Sequence, residues 1–296
     1  MKIGFLCELD WSVNVVYEGL GKEFHKHQID TSIIDIRRYR DKYEWNNYVN
    51  HYDYFFVPTG DEYLTKYSDW GLPDEKLIPI VHAPWEIESM VDTYGVNIFD
   101  RYPAVFCVSN RIKQLSKDIK ITKEFDVVQN GVVFDRFYCK PAERLVIVGY
   151  AYPMQTHHKW KRVTIPPKIT GGVVTPSHVL PYAIMGQFYK KIDASILTST
   201  HTEACGLINL EAAAAGRMII STDVGILEDY PDAPAIRVRM EEDELLEDID
   251  NTIRYYKYNT EEFKLKCIET QEFAREFYSW DHAVKSWLTG LSKLNT

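Results

Sequence analysis

Two carboxylates eight positions apart, Glu203 and Glu211, are the residues of this chain whose surroundings most favour chemistry. Glu211 lies in a run of helix-forming residues, 207–215, and no Lys or Arg stands three or four positions before or after it. A packed carboxylate needs hydrogen-bond donors, and the hydroxyl groups of a ligand could supply them. The alternative interpretation is an acidic residue near the positive end of a helix together with an ordinary loop glutamate.

The elements around this pair follow the order strand, loop, helix, strand. Residues 194–197 and 218–221 are short apolar runs suited to strands buried in a parallel sheet. Gly216 follows the helix at the position of a left-handed C-terminal cap. Parallel sheets bind ligands beyond the carboxyl ends of their strands, so residues 198–206 should rim a binding crevice. At the helix start, we expect the free backbone amides of Gly206, Leu207 and Ile208 to face an anion in this crevice.

Length and charge limit the kinds of protein that this chain can be. A chain of 296 residues exceeds the usual size of one hydrophobic core, so we expect two domains. The net charge of −9 argues against a surface built for an anionic membrane or for nucleic acid, and so against a nucleic-acid acceptor. Residues 140–191 are an exception, with eight basic residues against one acidic residue, Glu143. A phosphate-bearing ligand would suit this basic stretch, which directly precedes the carboxylate pair.

Cysteine use and hydropathy predict a reduced, cytoplasmic protein. The five cysteines are odd in number and scattered, without the paired spacing of zinc sites or disulfides. No window approaches the roughly 18 apolar residues of a membrane span, so any membrane association should be peripheral. His157 and His158 lack a third ligand at a suitable spacing, which favours a solvated or phosphate-facing loop. We therefore expect neither a metal nor a cofactor.

The first half of the chain alternates short apolar strands with helical segments, the pattern of a doubly wound α/β sheet. Polar and aromatic residues follow two of these strands. Glu8, Asp10 and Trp11 lie in the loop after the first strand, which lacks a dinucleotide-binding glycine fingerprint. His82 directly follows a later strand and is either a ligand contact or a structural hydrogen bonder. Trp85 and its neighbouring glutamates form either an acceptor contact in a loop or a solvated helix start.

Residues 203–211, EACGLINLE, resemble the E-x7-E motif of retaining glycosyltransferases with the GT-B fold, especially family 4. Residues 211–225 are similar to the LEAMA-x-G and T-x-x-G segments of that family. The resemblance implies that Glu203 contacts the transferred sugar and that Glu211 holds the ribose hydroxyls of the nucleotide. It also implies that His82 reaches the donor sugar. Backbone amides between the two glutamates would meet the sugar and the diphosphate, those of Ala204, Cys205, Gly206, Leu207 and Ile208.

Two further segments are similar to the same family. Residues 127–137 resemble its V-I-P-N-G-V-D-x-x-x-F segment, which implies that the N-terminal domain ends near residue 138. Residues 277–281, FYSWD, resemble its F-S-W element, which implies that the helix in residues 277–296 packs back onto that domain. The resemblance thus implies two Rossmann-like doubly wound domains facing across a cleft. Residues 1–138 would serve the acceptor, and residues 139–276 would bind the nucleotide-sugar donor.

The chain departs from the family pattern at two places. Glu8-Leu9-Asp10-Trp11 stands where family members usually carry a glycine pair. Gly149 is retained as a donor-side residue, but Tyr150 follows it where the family has an Arg that clamps the diphosphate. The candidate cations come later in the chain: Lys159, Lys161 and Arg162. We therefore expect a displaced clamp, with Lys159 and Lys161 among the donor-binding residues.

The resemblance implies a glycosyltransferase that moves a sugar from a nucleotide diphosphate sugar to an acceptor with retained anomeric configuration, and the lack of a metal-ligand cluster in the sequence predicts that it is metal-independent. The acceptor would be a glycan, a lipid-linked compound or another hydroxyl compound. The acceptor-side residues would be Glu8, Asp10, Trp11 and Trp85. Two alternatives stay open: an inverting GT-B transferase that uses Glu8 or Asp10 as its base, and a degenerate protein that binds a sugar or nucleotide without catalysis.

Overall fold

The computed structural model describes residues 1–8, 12–38, 49–60, 63–151, 159–177, 180 and 182–295. The predicted acceptor-side residues Asp10 and Trp11 lie outside these residues, as do His157 and His158. The chain divides into two compact units, Met1–Gly131 together with Ala283–Thr296, and Val132–His282. The sequence analysis placed the corresponding divisions after residues 138 and 276.

In the described part of the chain, the first unit is built on a parallel sheet of six strands, β1 to β6. These strands are Lys2–Cys7, Asp30–Asp35, Tyr54–Pro58, Leu77–Val81, Val105–Cys107 and Phe125–Val127. Their order is β2-β1-β3-β4-β5-β6, with Ile3 of β1 opposite Thr31 of β2 and Tyr54 of β3. The order changes direction between β1 and β3, the kind of position at which such sheets bind ligands.

Helices connect the strands of the first unit. Their bounds are Ser12–Lys26 for α1, Tyr63–Asp69 for α2, Pro84–Tyr94 for α3 and Asn110–Asp118 for α4. Tyr17 of α1 stacks on Phe5 of β1, with 4.7 Å between the ring centroids. Trp85 lies in the first turn of α3, because Pro84 takes the first helical position. Of the two alternatives for Trp85, the structure has the helix start and not the loop.

The second unit is built on a parallel sheet of five strands, counted over the described residues. These strands are Ile147–Tyr150 for β7, Val173–Pro176 for β8, Ala194–Leu197 for β9, Met218–Thr222 for β10 and Ile236–Val238 for β11. Their order is β11-β10-β9-β7-β8. Every residue of β9 and β10 is buried, as predicted from their apolar runs. The predicted α/β class with two parallel sheets is confirmed.

The side chain of Asp193 binds the backbone where β7 begins, at Ile147. Its Oδ2 accepts hydrogen bonds from the backbone amides of Val146, at 2.9 Å, and Ile147, at 2.8 Å. This contact includes the first residue of the strand, and Gly149 lies inside the strand.

Helices α5 to α10 belong to the second unit. They span Phe134–Phe137, Met185–Tyr189, Leu207–Ala214, Ile226–Asp229, Glu242–Tyr258 and Thr260–Phe273. Helix α7, which carries Glu211, ends at the predicted left-handed glycine, Gly216, with a φ of +67°. The amide of Gly216 donates to Ala213 at 2.9 Å and that of Arg217 donates to Ala212 at 3.0 Å, the pattern of a Schellman cap. The predicted cap is confirmed.

The last helix, α11 (Trp280–Ser292), carries the chain back into the first unit from Ala283 onward. Trp287 is fully buried there. Its ring lies 6.4 Å from that of Phe24, 5.6 Å from Phe56 and 6.0 Å from Phe106. Its indole nitrogen donates to the carbonyl oxygen of Gln129 at 2.7 Å. This aromatic cluster holds the C-terminal segment in the core of the first unit.

Candidate functional site

The loop at residues 198–206 is joined to the turn after β10 beyond the carboxyl ends of β9 and β10. The hydroxyl of Thr222 donates to the carbonyl oxygen of Ser199 at 2.6 Å. The amide of Ile226 donates to the carbonyl oxygen of Cys205 at 2.9 Å. The segment that we predicted to rim a binding crevice is thus held at this edge of the second sheet by the neighbouring turn.

Gly225 lies at the closest approach of these two loops. Its φ of +62° belongs to a region that L side chains rarely adopt. A Cβ atom at this position would lie 2.7 Å from the carbonyl carbon and oxygen of Cys205. Both the backbone conformation and the contact therefore require glycine, and Gly225 supports the backbone that connects Glu203 to α7.

The Glu203 carboxylate lies at the start of α7, and its side chain is 14% exposed. Its Oε1 accepts a hydrogen bond from the amide of Gly206 at 3.2 Å, and its Oε2 accepts one from the hydroxyl of Ser199 at 3.3 Å. The expectation that the Gly206 amide is free to face an anion was wrong. Glu203 already binds this amide, where the positive end of the helix favours a negative charge.

Of the three candidate cations, Arg162 is hydrogen-bonded to backbone carbonyl groups of two distant segments. Its Nε donates to the carbonyl oxygen of Thr198 at 2.7 Å, and its Nη1 donates to that of Met240 at 2.6 Å. These bonds hold the short 3-10 helix Lys159–Lys161 against the loop after β9. The guanidinium therefore serves to position its neighbours.

Lys161 lies beside Glu203, the residue that is predicted to contact the sugar. Its Nζ lies 3.8 Å from Oε2 of Glu203, and its side chain remains 37% exposed. Lys159 is exposed and has no ion pair among the described residues. The structure thus places one of the two predicted clamp lysines beside the Glu203 carboxylate.

Glu211 lies inside α7 and is 7% exposed. The hydroxyl of Tyr189, 22 residues earlier in the chain, donates to its Oε2 at 2.7 Å. Burial raises the pKa of Glu211 from 4.5 to about 7, although the hydrogen bond from Tyr189 and the charge of Arg136 lower it. No partner of Oε1 is found in the described part of the chain. One oxygen is therefore available to the hydroxyl groups of a ligand.

The other predicted donor-side residues differ in exposure. Ala204 and Cys205 are buried, whereas Leu207 and Ile208 are partly exposed at the start of α7. Gly149 has a packing role, because a Cβ atom there would lie 2.6 Å from the side chain of Ile192. A donor contact of these residues stays a prediction.

His82 lies at the carboxyl edge of the first sheet, directly after β4. Its Nε2 is buried and has no hydrogen-bond partner among the described residues. Burial lowers the pKa of His82 from 6.5 to about 4, so the imidazole is neutral at physiological pH. A neutral imidazole with an unpaired nitrogen is suited to form a hydrogen bond with a hydroxyl group.

Glu86 is a structural residue that the sequence analysis assigned to a loop contact or a solvated helix start. It is the third residue of α3, is 8% exposed, and accepts hydrogen bonds from the amide of His82, at 2.8 Å, and the hydroxyl of Thr59. Burial raises the pKa of Glu86 to about 8. Glu86 stands at the third helical position, as in a capping box, but the N-cap residue is Ala83 instead of Ser or Thr, so the sequence lacks the full capping-box signal.

The remaining acceptor-side residues are Glu8, half-buried at the end of β1, and Trp85, 41% exposed on α3. Over the residues that the structure describes, no group of three or more His, Cys, Asp or Glu side chains could hold a metal ion. Within the same residues, no helix is long and apolar enough to cross a membrane.

Comparisons with known proteins bear on the family and the fold of the chain. Residues 133–254 match the family model described as Glycosyl transferases group 1. No curated protein matches the chain. Among solved structures, HepE of Anabaena in complex with UDP-glucose is similar at 14% identity and a TM-score of 0.72, over 99% of each chain.

Two further solved structures share the fold. Sucrose-phosphate synthase of Thermosynechococcus elongatus is similar at 12% identity and a TM-score of 0.72, over 99% of each chain. The catalytic domain of starch synthase IV of Arabidopsis thaliana, bound to ADP and acarbose, is similar at 12% identity and a TM-score of 0.70. This match covers 100% of our chain and 99% of the synthase chain. The chain thus has the GT-B fold of glycosyltransferases, and its second unit contains a segment that matches Glycosyl transferases group 1.

Proposed function

We propose that this protein is a glycosyltransferase that moves a sugar from a nucleotide diphosphate sugar to the hydroxyl group of an acceptor. The observation that carries the proposal is the position of Glu203 and Glu211 on one loop-and-helix element at the carboxyl edge of the second sheet. Glu211 is buried there with one oxygen unpartnered among the described residues. Such a carboxylate needs donors, and the two adjacent hydroxyl groups of a ribose would supply them.

The comparisons support a nucleoside diphosphate as the shared part of the donor. The HepE structure holds UDP-glucose, and the starch synthase structure holds ADP. The segment that matches the family model, residues 133–254, includes both glutamates and the two lysines before them. We therefore infer that donor binding is a property of the second unit.

The diphosphate would meet the backbone amides at the start of α7 together with Lys159 and Lys161. Lys161 lies 3.8 Å from the Glu203 carboxylate, so its mobile ammonium group is placed to reach an anionic group bound nearby. A helix N-terminus favours anions through its oriented amides. We propose that these groups neutralise the diphosphate in place of a divalent cation, so that transfer needs neither metal nor cofactor.

We also propose retention of anomeric configuration, on the resemblance of residues 203–211 to the E-x7-E motif. Glu203 would orient the sugar and stabilise developing charge, without forming a covalent intermediate. Its bonds to Gly206 and Ser199 support this role, because they fix the carboxylate in place. The transition state of such transfer resembles an oxocarbenium ion, and donors aimed at the departing diphosphate stabilise it. His82 would contact the donor sugar as a neutral imidazole.

A thermal-shift screen over nucleotide sugars and nucleoside diphosphates tests donor binding. A ligand present at about 100 times its Kd should add roughly 2.7 kcal/mol to the free energy of unfolding. Glu211→Gln should weaken nucleotide binding by about tenfold or more, because charge-assisted hydrogen bonds contribute roughly 1.5–3 kcal/mol. Glu88→Gln, which changes an exposed glutamate of the first unit, is the control. Unchanged nucleotide affinity in a folded Glu211→Gln variant would show that Glu211 is structural.

A further inference from the structure

Tyr189 and Glu211 are a buried, hydrogen-bonded pair, and further contacts hold Tyr189 beside the Glu211 carboxylate. Tyr189 is fully buried at the end of α6, and its hydroxyl lies 2.7 Å from Oε2 of Glu211. Its ring contacts that of Phe137 at 5.8 Å, and its carbonyl oxygen accepts a hydrogen bond from Nε of Arg217 at 2.7 Å. The ring of Tyr189 is therefore packed and its backbone is held, while its hydroxyl binds one oxygen of the Glu211 carboxylate.

Two ionisable groups act on the Glu211 carboxylate. The elements that contact α7 include α5, α6, α10, β9, β10 and the π-helical turn Ala274–Tyr278. Over the described residues of these elements, the groups that shift the titration of Glu211 are Tyr189 on α6 and Arg136 on α5. Both lower its pKa, and burial raises it, which leaves the pKa of Glu211 at about 7. Loss of the phenol hydroxyl would favour the protonated acid.

We propose that Tyr189 is a positioning residue that orients Glu211 toward the ribose hydroxyls of a nucleoside diphosphate and thereby sets the pH range in which the nucleotide binds. The proposal rests on the role of Glu211 given under Proposed function. With Oε2 bound to the phenol, Oε1 is the oxygen left for the ligand. Ribose hydroxyls donate most strongly to the ionised carboxylate. Nucleotide affinity should therefore rise with pH until Glu211 is ionised in the free protein and then level off.

The test is calorimetric titration of UDP and of ADP between about pH 5.5 and about pH 9, the range that brackets the pKa of Glu211. In the wild type, Kd should fall as pH rises toward about 7 and then become constant. In Tyr189→Phe, which removes only the hydroxyl, Kd should be about tenfold higher at neutral pH. The pH at which Kd becomes constant should also move upward. A purely structural role of Tyr189 would not move this inflection.

Tyr278→Phe is the matched control. Tyr278 is a buried tyrosine of the same unit whose hydroxyl has no hydrogen-bond partner among the described residues. This variant should keep both the wild-type affinity and the wild-type inflection. An inflection that is the same in Tyr189→Phe as in the wild type, or that moves equally in Tyr278→Phe, would overturn the proposal.

The double variant Tyr189→Phe/Glu211→Gln tests whether Tyr189 acts through Glu211 separately from whether Glu211 contacts the nucleotide. In this variant, no buried carboxylate is left without its hydrogen-bond donor. If Tyr189 acts through Glu211, its change should not weaken binding further in this background. Additional weakening there would overturn the positioning role while leaving Glu211 as a nucleotide contact. If Glu211→Gln alone binds UDP and ADP as tightly as the wild type at every pH, the proposed function of Glu211 fails, and the role of Tyr189 fails with it.

Discussion

At the scale of single residues, burial gives Glu211, Glu86 and His82 pKa values far from their ordinary ones. It raises the pKa of Glu211 to about 7 and that of Glu86 to about 8, and it lowers the pKa of His82 to about 4. At neutral pH, Glu86 is therefore mostly protonated and His82 is neutral, whereas Glu211 is close to its midpoint. A ligand that donates hydrogen bonds to Glu211 can thus change its charge state at physiological pH.

The raised pKa of Glu86 predicts a loss of stability as pH increases. Between about 4.5, the ordinary pKa, and about 8, the folded protein holds a proton that the unfolded chain has released. The free energy of unfolding should fall by about 1.4 kcal/mol per pH unit across this window. Glu86→Gln removes this titration. We therefore expect urea unfolding at about pH 5 and about pH 8.5 to show a larger loss of stability in the wild type than in the variant.

Glu88→Gln provides the control for this measurement, because Glu88 is exposed on the same helix. Its stability should depend on pH as that of the wild type does. Parallel pH dependence in wild type and Glu86→Gln would mean that Glu86 is ionised in the folded protein.

At the scale of elements, the strand-loop-helix-strand segment from residue 192 to residue 225 could be predicted, because the residue patterns that indicate its elements are local in sequence. The apolar runs of β9 and β10 and the glycine cap at Gly216 are each contained in a few consecutive residues. The contacts that could not be predicted join residues far apart in sequence. Asp193 binds the amide at the start of β7, and Tyr189 binds Glu211, and both pairs form only when distant segments of the chain come together.

In the candidate site, too, some features follow from local sequence patterns and others depend on contacts between distant residues. The loop position of Glu203 before a helix follows from local pattern, whereas its bond to the Gly206 amide depends on how the loop closes. The position of His82 at a strand end was likewise predictable from the sequence. The burial of Glu86 beneath it was not, because it depends on Thr59 from another strand end.

Gly225→Ala tests the contact between the two loops that surround the start of α7. Gly95 offers a matched comparison: both glycines have a positive φ, but a Cβ atom at Gly95 meets nothing within 4 Å. Gly95→Ala should therefore cost only backbone strain, on the order of 1–3 kcal/mol. Gly225→Ala should cost more and should also weaken binding of nucleoside diphosphates. Urea unfolding and calorimetry measure the two effects, and equal losses of stability with unchanged affinity would contradict this account of the loop.

The proposed phosphate contacts of Lys159 and Lys161 lead to a prediction of how turnover responds to metal removal and to mutation. Turnover should survive EDTA, because backbone amides and lysine side chains are proposed to neutralise the diphosphate. Lys161→Ala should reduce turnover more than Lys159→Ala, since Lys161 lies beside Glu203. Steady-state rates with and without EDTA provide the comparison. Loss of activity with EDTA and recovery with magnesium or manganese would show that this phosphate site is wrong.

At the scale of the whole molecule, each unit presents its candidate residues where parallel strands end. In the first unit, Glu8 follows β1 and His82 follows β4. In the second unit, the loop after β9 leads to α7 with Glu203 and Glu211. The segment that matches the family model, residues 133–254, lies within the second unit. This agrees with the proposal that the second unit binds the donor.

Proton NMR of the first sugar product tests the central claim most directly. With a donor identified by thermal shift, we predict turnover, including slow transfer to water, and a first product that keeps the anomeric configuration of the donor. Glu203→Ala should lower this turnover strongly, and His82→Ala less strongly. An inverted product would contradict retention and would move the role of base to Glu8 or Asp10. If the folded protein binds a nucleotide sugar but turns over none, the transferase proposal is wrong and the chain is a binding protein.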